Sequence, residues 1–254
     1  MKYEIRVCGD RMLNVVFIEE SAQIANSEAR WLSRELEASS IRDRIETVVG
    51  VDTLAIAYDP FLCSYSSVRS VVERILRKNA KRKNFDPENE KRKIHELPVC
   101  YSGDFAPDIG KAANKLNITE NELIARHCRA DILVYSIDPA DGLMLSEDGL
   151  LASDPQVRAS VPVNGIVLEK GRTRIANREG EYDGYLIGRA VIGDGAVDPE
   201  CAISAGDYIR FVPVTENRMK KLLSASRIRH EVKYIKSGSP SGNGEKKVKG
   251  GSGK

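Results

Sequence analysis

Three histidines and five cysteines are the side chains with most chemistry to offer in this 254-residue chain. His95, His127 and His230 are too far apart in sequence for an H-x-x-x-H pair, and no C-x-x-C occurs among Cys8, Cys63, Cys100, Cys128 and Cys201. An odd number of widely spaced cysteines is neither a disulfide framework nor a zinc ribbon, so reduced thiols and no metal site are expected. His127-Cys128 invites a nucleophile–base reading. Adjacent helical residues point about 100° apart and cannot pair, so Cys128 is read as core. His127 stays open between a helix-end histidine bonded to a carbonyl and a ligand contact. Asp138, Asp141, Glu147 and Asp148 miss the alternate-oxygen spacing of a calcium loop and are read as a turn-rich loop. Gly193-Asp-Gly195 lacks the third glycine and following helix of a dinucleotide fingerprint, and is read as a hairpin turn. Phosphate-loop, serine-elbow and zinc-protease motifs are absent from the sequence.

The elements that must position these groups are legible from period. Tyr3, Ile5 and Val7 alternate with polar residues, and Met12 to Ile18 is a second strand after the Gly9-Asp10 turn. Ala25, Ala29, Leu32 and Leu36 then form one face of a helix. Ile45–Val49 and Thr53–Tyr58 read as paired strands, followed by a helix with Val68, Val71, Val72, Ile75 and Leu76 on one stripe. The order β-β-α-β-β-α, with a further strand at Leu97–Tyr101, is close to the split βαβ pattern of a ferredoxin-like α/β sandwich. Residues 94–215 follow as a second domain. A short helix follows Pro107-Asp108, Thr119-x-x-Glu122 is a capping box, and Ile132–Ile137 is a strand. From Val161 to Pro213, short apolar runs punctuated by glycine indicate a β-barrel.

Charge divides the chain differently. The net charge is +2, but residues 216–254 hold 11 Lys/Arg against 3 Asp/Glu, and Arg77–Lys93 holds 8 against 3. The remainder is acidic. Domain boundaries follow: an N-terminal α+β domain over 1–78, a charged linker over 79–93, the barrel over 94–215, a basic C-terminal helix over 216–236 and a disordered tail over 237–254. The helix is expected from about Asn217 to Tyr234, with Met219, Leu222, Leu223 and Ile228 as apolar members. The tail carries no aromatic residue for base stacking, which disfavours nucleic acid as a partner. No apolar run is long enough to span a bilayer, and the start MKYEIRVCGD is unlike a signal peptide, so a cytoplasmic protein is expected.

Seven segments stand together in a recognisable order: CGDRMLNVVF (8–17), TLAIAYDP (53–60), PVCYSGDFAPDI (98–109), LIARH (123–127), Val161-Pro162, LIGR (186–189) and GDYIRFVPV (206–214). Together they resemble allophanate hydrolase subunit 1, a family that includes the B subunit of 5-oxoprolinase and the KipI-like kinase inhibitors. The resemblance covers residues 3–214 and implies an α+β domain followed by a cyclophilin-like β-barrel. His127, Gly142, Gly188 and Arg189 match the family pattern. Asp138-Pro-Ala-Asp-Gly-Leu143 replaces its Gly-Phe-x-Pro-Gly-Phe loop, Arg172 replaces a barrel glutamine, and Gly180–Gly184 replaces a Ser-Pro-Gly-Gly-Trp loop. A neutral, aromatic-lined pocket thereby becomes charged, and sites select by their buried polar groups.

The resemblance implies a subunit of an ATP-dependent amidohydrolase, in which ATP phosphorylates an amide oxygen and exposes the carbon to water. It implies a subunit 2 partner and, for 5-oxoprolinase, a third subunit. Arg172 and Arg189 would then bind phosphate or carboxylate in one barrel cavity, with His127 and Gly142 close by; the alternative for Arg172 is a solvent-facing position at a strand edge, paired with Glu169 or Glu179. An alternative on the same fold is a non-catalytic regulatory module whose partner is a kinase. A third reading is nucleic-acid association through the basic linker and tail, which would be steeply salt-dependent. Limited trypsin digestion tests the domain division: cleavage within 77–93 should release two separately folded pieces, and resistance there despite eight Lys/Arg would refute the boundary.

Overall fold

The computed structural model describes residues 2–19, 21–79, 92–138, 142–147, 158–169, 171–225 and 228–235. Most of the expected linker, the 139–141 and 148–157 segments and the expected tail lie outside the described residues. So do Asp141 and Asp148 of the acidic loop.

The N-terminal unit consists of β1 (Tyr3–Cys8), β2 (Met12–Phe17), α1 (Ala22–Glu37), β3 (Ile45–Val49), β4 (Thr53–Tyr58) and α2 (Tyr65–Asn79). The sheet order is β1-β2-β4-β3, with every neighbouring pair antiparallel. Alternation sends Leu13, Val15, Phe17, Leu54, Ile56 and Tyr58 to one face. That face packs against the helical stripes read from sequence, with Ala29, Leu32, Leu36, Val68, Val72 and Leu76 fully or almost fully buried. Ser21 starts α1 by accepting from the Gln23 amide.

The second unit runs β5 (Arg92–Cys100), α3 (Ile109–Lys115), α4 (Glu120–His127), β6 (Ile132–Asp138), β7 (Gly142–Glu147), β8 (Arg158–Val161), β9 (Gly165–Glu169) and β10 (Arg172–Ile175). It continues with β11 (Gly180–Asp183), β12 (Tyr185–Ala190), β13 (Tyr208–Pro213), α5 (Glu216–Leu223) and β14 (Glu231–Ile235). Seven strands, in the order β12-β9-β10-β7-β6-β13-β5, close into a barrel through the β12–β5 pairs Arg189–Cys100 and Ala190–Val99. The hairpin β8–β11 forms a separate two-stranded sheet. Its Ala159, Val161 and Tyr182 pack on Val167, Ala176 and Leu186 of the barrel wall. Thr119 opens α4 by accepting from the Glu122 amide, as the capping box requires.

Three expectations need correction. The basic C-terminal helix is only α5, residues 216–223, and 231–235 is the strand β14 paired antiparallel with β5. The residues Glu231-Val-Lys-Tyr-Ile alternate with period 2, which suits an edge strand rather than a helix. β5 begins at Arg92, so the last residues of the expected linker belong to the barrel. Gly193-Asp-Gly195 is not a hairpin turn either: it lies in the long connection between β12 and β13, which do not pair. Gly193 is needed there for close approach, since a Cβ would lie 2.8 Å from Cys201 Sγ.

One helix side chain ties the two units together. Asn26 of α1, fully buried, donates through Nδ2 to Gly50 O at 2.8 Å and to Tyr135 O of β6 at 2.9 Å. Its Oδ1 accepts from Arg30 Nε at 3.0 Å, one turn on. The Arg30 guanidinium lies over Gly206, where a Cβ would approach it to 2.3 Å. Asn26→Ala should therefore cost about 1–3 kcal/mol, because two buried carbonyls lose their donor. Asn26→Asp should cost more, because it sets a carboxylate against those carbonyls. Urea unfolding of the two variants measures this, and a wild-type midpoint in both would refute the clasp.

Candidate functional site

The barrel interior is built by strand alternation. In β10, Thr173 and Ile175 are fully buried while Arg172 and Arg174 take the opposite face. Helices α3 and α4 add Ile109, Ala112, Ala113 and Leu123 to the interior cluster. His127, at the last turn of α4, is 1% exposed and stacks on Phe211 of β13 with ring centroids 4.4 Å apart. Its Nδ1 lies 2.7 Å from Tyr101 Oη, and its Nε2 lies 3.0 Å from Thr173 Oγ1. The Cys128 thiol donates to Tyr101 Oη at 3.6 Å. With the Cys128 thiol donating to Tyr101 Oη, the buried phenol proton is satisfied by donating to Nδ1, and we assign the tautomer that carries the His127 proton on Nε2, facing Thr173.

This wiring fixes what His127 can do. Burial lowers its pKa to about 3 and pushes the Tyr101 phenol well above its ordinary value. Burial also raises the Cys128 thiol. The imidazole is neutral, doubly bonded and sealed. It is a satisfied core histidine, bonded to side chains rather than to the carbonyl considered from sequence. Gly142 opens β7 at φ +97°, where a Cβ would lie 2.1 Å from Ile175 O, so its role is close backbone approach.

The two arginines do not meet in the barrel. Arg172 stands opposite Glu169 of β9, and Arg189 stands opposite Gly165 of the same strand. Those partners are four residues apart, roughly 13 Å of strand. Arg189 donates from Nε to Val163 O at 3.1 Å, and Arg172 Nη1 lies 3.9 Å from Met144 Sδ. The neighbouring Arg174 makes an ion pair with Glu169 at 2.7 Å. The expected grouping of Arg172, Arg189 and His127 around one cavity is therefore corrected. His127 is inside, and the arginines lie outside at separate points. The alternation Arg-Thr-Arg-Ile in β10 is the sequence signal that separates them.

Sequence reasoning missed a second polar assembly. His95 on β5 lies 2.7 Å through Nδ1 from His230 Nε2, and 2.9 Å through Nε2 from Asp207 Oδ2. Gly193 N–H donates to His230 Nδ1 at 2.8 Å. That donation settles both tautomers: His230 carries its proton on Nε2 and gives it to His95 Nδ1, and His95 Nε2–H donates to Asp207. Asp207 Oδ2 also accepts from the Ser204 amide at 2.9 Å, and Lys93 Nζ is 3.9 Å away. The His230 pKa falls to about 4, chiefly by burial and then because a second positive charge beside His95 and Lys93 is disfavoured. Outside the barrel, Arg210 grips Asp131 with two bonds of 2.7 and 2.9 Å and reaches Glu96 at 3.1 Å. Lys233 of β14 meets the same Glu96 at 2.8 Å. Among the described residues, no group of three or more His, Cys, Asp or Glu is placed to hold a metal, and no helix is long and apolar enough to cross a membrane.

Comparison with known proteins places this geometry. The family described as carboxyltransferase domain, subdomain C and D, matches residues 3–148. The B subunit of the 5-oxoprolinase of Bacillus subtilis (strain 168) is 23% identical over 232 residues, spanning 85% of this chain and 95% of that protein. Among solved structures, the Kluyveromyces lactis urea carboxylase superposes with a TM-score of 0.71 at 20% identity over 92% of this chain. The urea amidolyase of the same yeast gives 0.69 at 19% identity over 92%. The chain spans only 24% and 16% of those two proteins, respectively, so they show the fold alone.

Two of the three buried histidines, His127 and His230, set a pH dependence. Their folded pKa values lie below the ordinary 6.5, so their contribution to stability is complete above that pH and is lost as pH falls towards about 4 for His230 and 3 for His127. Between pH 6.5 and 5, where carboxylates stay largely ionised, each should add a slope approaching ~1.4 kcal/mol per pH unit. Urea unfolding across that window measures it, and His230→Gln should flatten the slope. A wild-type slope near zero would refute the neutral wiring.

Proposed function

The chain belongs to the family of carboxyltransferase domains, subdomains C and D, and from that footing we propose that it is one component of an ATP-dependent amidohydrolase complex of the 5-oxoprolinase or allophanate hydrolase type. The observation that carries this reading is extent: the similarity runs over 95% of the Bacillus 5-oxoprolinase component, a whole subunit rather than one module. In this reading the two units are the ferredoxin-like sandwich and the cyclophilin-like barrel. The strand order β1-β2-β4-β3 supports the first, being the split βαβ arrangement entered from a different strand. The closed ring of strands supports the second.

The residues present do not form a nucleotide cradle between Arg172 and Arg189, since these lie at separate points of the outer wall. The proposed arrangement puts ATP chemistry on a surface shared with subunit 2, with the outer wall of β9, β10 and β12 facing it. Arg172 and Arg189 are contacts on that wall, whereas His127 and Gly142 hold its shape from behind. The sealed, neutral state of His127 favours a second reading, a non-catalytic regulatory module directed at a kinase. Co-expression with the subunit 2 reading frame from the same genome decides between them. A stable pair that releases phosphate from ATP only with 5-oxoproline or a related cyclic amide is the expected result. No complex, or a complex without substrate-dependent phosphate release, would overturn the enzymatic reading.

A further inference from the structure

The three loops at one end of the N-terminal sheet enclose a cleft of about 420 Å³, far from the barrel wall in sequence and lined by Arg11, Arg42, Arg44, Tyr58 and Leu62, with Asp43, Glu46 and Asp59 also in its wall. Each loop is pinned by its backbone. The Tyr58 amide donates to Arg11 O at 2.9 Å, which ties the β1–β2 turn to the end of β4. Arg44 N–H donates to Ile41 O at 2.9 Å, and the Cys63 thiol reaches Arg44 O at 3.9 Å. The guanidinium stems therefore leave fixed points and converge on one space.

Formally the three arginines balance Asp43, Glu46 and Asp59, but the pairing between them is incomplete. Asp43 is engaged by Arg42 at 3.5 Å, and Asp59 Oδ1 accepts the Phe61 amide at 2.9 Å. Among the described residues, the guanidinium groups of Arg11 and Arg44 have no hydrogen-bond or ion-pair partner, and neither does the Tyr58 hydroxyl. Two guanidiniums and a phenol hydroxyl without partners leave donors to spare in the cleft. The exposed Arg42–Asp43 pair is of the weak surface kind, so Arg42 can be recruited at little cost. Beside the cleft, between Asp59 and Leu62 of its wall, Phe61 is 91% exposed and Leu62 60% exposed. Adjacent apolar side chains this bare, set next to a cleft with unused arginine donors, are unusual on a free surface.

We propose that this cleft binds a phosphate monoester carrying an apolar or aromatic body: the dianion is held by Arg11, Arg44 and the Tyr58 hydroxyl with Arg42 closing on it, and the body rests on Phe61 and Leu62. A tetrahedral dianion matches several convergent donors, whereas a carboxylate is satisfied by one bidentate arginine. The volume lies within the range of small-molecule sites. The proposal stands independently of the functional assignment above.

Isothermal titration of the full chain with phenyl phosphate, inorganic phosphate and benzoate tests it. Phenyl phosphate should bind most tightly, and more weakly as salt rises. Arg11→Gln and Arg44→Gln should each weaken it roughly tenfold or more. Phe61→Ala should bring phenyl phosphate down to the affinity of inorganic phosphate while leaving the latter unchanged. Arg69→Gln, which removes a charge from α2 outside the cleft, serves as the charge control and should change nothing. All four positions are on the surface, and an unchanged thermal midpoint verifies folding. Benzoate binding as tightly as phenyl phosphate would overturn the phosphate assignment. No binding of any probe at millimolar concentration, or undiminished binding by the Arg11→Gln/Arg44→Gln double variant, would overturn the site.

Discussion

The second unit depends on how β5 is shared. One edge of this strand pairs in parallel with β13 over residues 94–99. Its other edge is divided, with β14 paired over residues 92–96 and β12 over 99–100. The last two pairs close the ring, and the backbone bond from Val191 N–H to Pro98 O extends them at 2.9 Å, while Val214 N–H to Val99 O extends the β13 edge at 2.8 Å. A closed ring leaves interior polar groups no access to water, so each must find a partner within the protein. The Cys128–Tyr101–His127–Thr173 line meets that requirement at one end of β5. The Gly193–His230–His95–Asp207 line meets it in the other half, about 20 Å away by strand rise.

The two lines differ in what they bind together. The first joins a helix terminus to strand side chains and is local to the barrel interior. The second joins residues 135 positions apart, His95 and His230, and so fastens the C-terminal strand to the first strand of the barrel. Glu96 works on the opposite face of the same strand, held by Arg210 and Lys233. Burial pushes its carboxyl up, but Lys233 and Arg210 prevail and hold it below the ordinary glutamate range. β14 is thus secured from inside by neutral hydrogen bonds and from outside by charge.

Much of this was legible in the sequence, and the failures have physical causes. The stripes of α1 and α2 and the Thr119 cap were readable because period and capping are local signals. β14 was hidden because Met219, Leu222 and Leu223 start a true helix whose basic composition runs on into an alternating segment. The histidine pair was invisible because its members are brought together only by strand pairing across most of the chain. The misplacement of Arg172 was avoidable: the alternation in Arg172-Thr-Arg-Ile fixes which residues point inward, and a family correspondence does not replace that parity. The cleft at Arg11, Arg42 and Arg44 left no motif at all, since its arginines come from two loops joined only by the β2–β4 and β3–β4 pairings.

The divided edge of β5 also orders events during synthesis. Every strand of the ring has been made before β14 emerges, so the barrel can close while the amides and carbonyls of residues 92–96 still lack their antiparallel partner. Until the last strand arrives, that half-edge is an open template for any extended chain nearby, including another nascent copy. The same interval leaves His95 without His230. The final strand is therefore a late-arriving guard against misassembly, and strand exchange between neighbouring copies is the characteristic error such a design invites.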